Sequence, residues 1–198
     1  LLAVVAFSAE ARAVVRVFVQ KYFVAQKYDY REEWLRFVRT LDGDRPALDR
    51  NDLARRVLQA MANITGSPEG GLWVHTENDE FVPVAGRLCN EGAPTFHNAR
   101  TVDHWVELLT QNNWILDVDG QLPPGLERDN IPEWLRTHRQ VWLVVPLGVA
   151  GRVEGLVVLE PPLSSQRTLT WEDLDLLRTA ATQAAGSLAL QRALDDIG

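Results

Sequence analysis

A single cysteine, Cys89, stands in 198 residues, so no intramolecular disulfide framework and no multi-cysteine zinc site can form. Such a composition suits a reducing compartment. Positive charge is also scarce: 20 Lys and Arg against 27 Asp and Glu give a net charge of -7 and a pI near 5.1. A nucleic-acid groove takes its affinity from neutralised phosphates, so DNA and RNA are excluded as expected partners. The four histidines, His75, His97, His104 and His138, fall in separate predicted elements with no H-x-x-x-H or H-E-x-x-H spacing, and no metal site is read from them. The glycine turns at 66–71 and 148–155 lack a following lysine-serine pair or a dinucleotide fingerprint, so no phosphate cradle is expected. What is abundant is apolar: 46% hydrophobic residues and seven tryptophans can bury the core of one domain with extensions.

The charge is unevenly spread. Residues 1–45 carry eight bases and six acids, the remainder 12 and 21. Four bases, Arg12, Arg16, Lys21 and Lys27, follow the uncharged run Leu1–Ala9 with no acid from 12 to 27. As a helix that run spans roughly 13 Å, less than half a hydrocarbon core, so it does not cross a membrane as it stands. It fits the tail of a membrane span in a longer protein, with bases on the cytoplasmic side. An ordinary amphipathic helix packed on the domain is the alternative, with Phe7, Ala11, Val14, Phe18 and Tyr22 as its stripe. A second short helix around 28–41 is stopped by Asp42-Gly43-Asp44-Arg45-Pro46. Residues 1–45 therefore read as juxtamembrane and connector helices, and 46–198 as the folded domain.

Within 46–198 a helix over 49–64 carries Leu53, Val57, Leu58, Met61 and Ile64 on one face and ends at Gly66 and Pro68. Gly71–His75 and Phe81–Ala85 form a hairpin about an acidic turn. A helix over 102–109, a strand over 114–118 and a short helix over 131–138 follow. Val141–Leu147 and Val153–Leu159 are nearly continuous apolar runs, so this second hairpin lies in the middle of a sheet covered on both faces. Leu143 and Val145 are expected on the face opposite Trp142 and Val144. Thr170-Trp171-Glu172-Asp173 reads as a capping box opening a long helix. Leu174, Leu177, Ala181, Ala184 and Leu188 repeat along it with 3,4 spacing, which predicts a dimer or stalk seam beside residues 1–27.

The order strand, Pro146-Leu147, glycine turn, Gly155-Leu156-Val157-Val158-Leu159, Trp171-Glu172-Asp173-Leu174-Asp175-Leu176-Leu177 and an Ala/Gln-rich helix resembles the C-terminal half of a GAF domain, and the likeness extends over about 50–195. Tyr28-Asp29-Tyr30-Arg31-Glu32-Glu33-Trp34-Leu35-Arg36-Phe37 is similar to the segment after the last membrane span of PEP-CTERM system sensor histidine kinases, which are associated with exosortase loci. The resemblance implies an α+β fold, a central antiparallel sheet flanked by helices with long N- and C-terminal helices. It implies a regulatory domain at the cytoplasmic side of the inner membrane, a homodimer signalling to its own kinase core. No phosphoacceptor or ATP-binding segment is read in 1–198, so the chain itself is not expected to be an enzyme.

Some GAF relatives use a cysteine for redox chemistry or chromophore attachment. Cys89 has no second cysteine to resolve a sulfenic acid, and no covalently bound cofactor is expected. Asp117, Asp119 and Asp129 are read as turn residues rather than cation ligands. Trp73, Trp105, Trp114, Trp134 and Trp142 fall on separate elements where a GAF-like fold places a cavity, with Arg87, His138 and Arg139 as candidate polar groups, of which Arg87 and His138 are assigned to the pocket. These tryptophans either line a small-molecule pocket or fill the core. A ligand-free module that dimerises and transmits a signal stands beside the ligand-binding reading, and a GAF-fold redox enzyme is the third.

Overall fold

The computed structural model describes residues 31–43, 50–90, 92–97, 104–163 and 169–195. The expected stripe Phe7, Ala11, Val14, Phe18 and Tyr22 lies outside the described residues. The chain divides into two units, Leu1–Leu35 and Arg36–Gly198. Helix α1 covers 31–42. No helix among the described residues is long and apolar enough to cross a membrane.

Helix α2, Arg50–Thr65, is followed by β1, Gly70–His75, β2, Glu80–Ala85, and β3, Phe96–His97. Then come α3, His104–Gln111, β4, Leu116–Asp117, α4, Glu133–Thr137, β5, Leu143–Val149, β6, Arg152–Leu159, and α5, Trp171–Asp195. The six strands form one sheet in the order β3-β2-β1-β6-β5-β4 with antiparallel neighbours. The second hairpin is internal as expected, because β6 lies between β1 and β5, and β5 is flanked by β4. The expected strand over 114–118 contracts to two residues. Asn113, at φ 52, breaks the chain after α3, and the Asp117 carboxylate accepts the amides of Asp119 and Gly120 at 3.2 and 3.0 Å, which turns it away from the ladder. Pro132 stands just before α4 rather than within it.

Strand alternation sorts the core into two layers. Trp73, Val144, Leu156 and Val158 join a cluster with Phe81, Phe96, Trp105, Leu109, Leu116 and Leu135, below α3 and α4. The interleaved residues Leu72, Val74, Leu143, Val145, Leu147, Val157 and Leu159 are buried too. They point to the other face, where α5 packs on β5 and β6 and α2 packs on α5. The capping box at Thr170 is formed: the Asp173 amide donates to Thr170 Oγ1 at 3.3 Å, and the Thr170 amide donates to the Asp173 carboxylate at 2.9 Å.

This packing corrects the seam read on α5. Leu177, Ala181, Ala184 and Leu188 retain at most 4% of their surface within a single chain, and Leu174 is half-buried. The 3,4 stripe is therefore used by the domain's own sheet and α2, with alanines allowing close approach, and its buried residues are not available to a second copy. The large exposed apolar residues of α5 are Trp171, Leu190 and Leu194.

Candidate functional site

The layer beneath α3 and α4 is built from aromatics on five elements, β1, β2, β3, α3 and α4. Trp73 comes from the centre of the sheet and is fully buried. Its ring lies 5.5 Å from Phe96 and 5.7 Å from Trp134, the latter edge-on. Trp134 also meets Phe96 at 6.2 Å and His138 at 4.7 Å. These separations and tilts are the favoured geometry of aromatic pairs. Trp73 Nε1 donates to the Pro94 carbonyl at 2.8 Å, which satisfies its polar end and ties the segment before β3 to the layer.

Trp105 is different. It is 1% exposed, yet its indole N–H has no hydrogen-bond partner among the described residues, and neither has Arg136 Nε on α4. Both orphans are donors, one on each helix covering the layer. A buried donor without an acceptor keeps its full desolvation cost, about 1–3 kcal/mol. The arrangement is thus chemically poised for a group presenting an acceptor oxygen.

Of the predicted pocket residues, the structure brings Trp73, Trp105, Trp114 and Trp134 together, with His138 stacked on Trp134. It does not bring Trp142, which is half-buried and outside the cluster. Regular strand begins at Leu143, so the two-residue period does not extend back to Trp142, and Val141 takes the cluster position instead. Arg87 is also elsewhere. It lies in a turn, Arg87–Cys89, and faces a cleft of about 830 Å³ lined by Arg55, Leu58 and Gln59 of α2. There its Nε donates to Glu160 Oε1 at 3.0 Å, its Nη2 binds the other oxygen, and Glu69 lies 3.7 Å away. The Glu160 carboxylate holds the guanidinium pKa above its ordinary value. Arg139 is exposed.

Cys89 sits in the same turn. Its thiol donates to the Leu72 carbonyl at 3.4 Å, and burial pushes its pKa from 9.0 to about 11, against the opposing effect of backbone hydrogen bonds. A reactive thiolate is stabilised by positive or polar surroundings, and this site does the reverse.

Sequence reasoning missed Phe81 and Phe96 as layer members, and it missed two buried carboxylates, Glu154 and Glu160. The carboxylates had a signal: each is an acid within or directly after an otherwise apolar strand. The orphaned N–H of Trp105 had none, since it depends on what surrounds the ring.

The GAF domain family model matches residues 49–188. The chain belongs to the GAF domain family. The GAF domain of a Coxiella burnetii phosphoenolpyruvate-protein phosphotransferase is similar in structure, with a TM-score of 0.59, 15% identity, and coverage of 84% of this chain and 96% of that one. A methyl-accepting chemotaxis protein, residues 122 to 287, aligns with a TM-score of 0.55, 14% identity and coverage of 80% and 97%. The chromophore-binding domain of Stigmatella aurantiaca bacteriophytochrome aligns with a TM-score of 0.56, 18% identity and coverage of 81% and 60%. No curated protein is significantly similar in sequence. At these identities the structural likeness speaks for the fold, and this GAF domain's aromatic layer has to be read from its own residues.

Proposed function

We propose that this GAF domain is the regulatory input module of a membrane-bound sensor histidine kinase, of the kind found in the PEP-CTERM and exosortase systems. A small molecule entering the layer under α3 and α4 biases α5, which carries the signal to a kinase core. The orphaned indole N–H of Trp105 is the observation that supports this reading most. A ligand with a carbonyl, carboxylate or phosphate oxygen would give that N–H an acceptor. The basic stretch 12–27 after an apolar run supports a place at the cytoplasmic side of the inner membrane. The structural neighbours, drawn from a chemotaxis protein, a phytochrome and a phosphotransferase, agree with a signalling role. In a homodimer the residues left for self-association on α5 are Trp171, Leu190 and Leu194, because the predicted seam is occupied.

A metabolite-wide thermal-shift screen tests the ligand reading, since a ligand bound only by the folded form raises the melting temperature in proportion to its concentration over Kd. Trp105→Phe keeps an aromatic ring and removes the donor, so it should abolish the shift given by an authentic ligand. The second reading, a ligand-free dimerisation and transmission module, is favoured by the ring-to-ring packing of Trp73, Phe96 and Trp134, and it expects no metabolite to raise the melting temperature. A redox enzyme is disfavoured by the raised pKa of Cys89.

A further inference from the structure

The polar residue most out of place in the sheet is Glu154. Leu147 pairs with Gly155 and Gly148 with Val153, which leaves Glu154 as the extra residue of a bulge in β6. A bulge re-aims the side chain it carries, and this one turns the carboxylate to α5. Only 4% of that side chain is exposed, and Arg192 in the last turns of α5 holds both its oxygens, Nη1 at 2.9 Å from Oε2 and Nη2 at 3.2 Å from Oε1. A second ion pair, Arg50 to Asp195 at 3.2 Å, joins the start of α2 to the end of α5 at the surface. Apolar residues beyond Leu188 do not contribute to this end, since Leu190 and Leu194 face solvent. The C-terminal end of α5 is thus attached to the sheet by charge rather than by apolar burial.

A buried carboxylate that loses its only cation is left strongly destabilised, so a helix held this way would ordinarily be fixed in place. Arg152 changes that. It stands two residues before Glu154 on the same strand, within about 7 Å along the backbone. It lines one cleft of about 270 Å³ together with Arg192, His75, Thr76 and Glu77. Its guanidinium has no ion-pair or hydrogen-bond partner among the described residues. We propose that Glu154 is a two-partner switch: it docks the end of α5 through Arg192, and when that end lifts away the carboxylate passes to Arg152. Two satisfied states of one carboxylate make a bistable element, which a relay through α5 requires. The cleft gives water access to the released Arg192. This device deepens the relay proposed above, but its test reads helix docking and not ligand binding or kinase output, so either idea can fail without the other.

Hydrogen exchange read by mass spectrometry, combined with thermal unfolding, tests it on the chain as it stands. Arg192→Gln should speed exchange of amides 189–192 at least tenfold while the hairpin 143–159 stays protected. Glu154→Gln, which removes the anion instead, should release the same amides and serves if Arg192→Gln does not fold. Arg152→Gln alone should leave exchange at 189–192 unchanged, because the docked state does not use it. Combined with Arg192→Gln it should lower the melting temperature by more than the two single shifts added together. Unchanged exchange at 189–192 in both Arg192→Gln and Glu154→Gln would overturn the docking half of the proposal. Strict additivity of Arg152→Gln and Arg192→Gln would overturn the handover.

Discussion

Val145 retains no exposed surface and projects from β5 toward α5. An aspartate there buries a charge with no cation beside it, so Val145→Asp should cost several kcal/mol. That is a large part of a typical domain's stability. Urea unfolding should show a collapsed midpoint or no folded baseline. Cys89 gives a subtler prediction. With a thiol pKa near 11, about a thousandth is thiolate at pH 8, and alkylation by iodoacetamide should be some hundredfold slower than in the unfolded chain. The folded pKa is raised above the unfolded value of 9.0. The folded state therefore holds its proton longer, and this contribution to stability is complete below pH 9 and fades as pH rises toward 11. Midpoints measured from pH 8 to 11 should fall across that window in the wild type and less in Cys89→Ala.

For whole elements, the sequence was most legible where a pattern is decided locally. The capping box of α5 and the turns of both hairpins depend on neighbours within a few residues, and they appear where expected. The apolar runs of β5 and β6 indicated burial on both faces, because continuous Val and Leu leave no side for water. The role of the α5 stripe was not legible. A 3,4 repeat states that a face must be covered but not by what, and here the cover is β5, β6 and α2 rather than a second helix. Of the aromatic layer, membership of Trp73, Trp105, Trp114 and Trp134 followed from their spread over elements. The exclusion of Trp142 and Arg87 depended on where a strand starts and where an ion pair forms. The corrected α5 makes opposite predictions for two pairs of substitutions. Leu177→Glu with Leu188→Glu should unfold the domain in circular dichroism melts, since both sites are buried. Leu190→Glu with Leu194→Glu should leave melting within about 0.5 kcal/mol of wild type and weaken any dimer seen by sedimentation.

At the scale of the whole molecule, one sheet separates an aromatic layer, whose Trp105 indole N–H has no partner among the described residues, from a helix whose far end is held by charge. Adjacent β5 residues connect the two, Val144 packing in the layer and Val145 buried on the opposite face. A rearrangement on one face therefore has a short rigid path to the other, since close-packed interiors transmit displacement. In the function proposed above, α5 is the output of this domain. If the chain serves the sensor kinase proposed above, autophosphorylation of that kinase, compared between wild type and Arg192→Gln with radiolabelled ATP, is the decisive measurement. The expected result is a several-fold change in phosphohistidine formation with the GAF domain still folded. An unchanged rate, or no phosphohistidine in either protein, would contradict it.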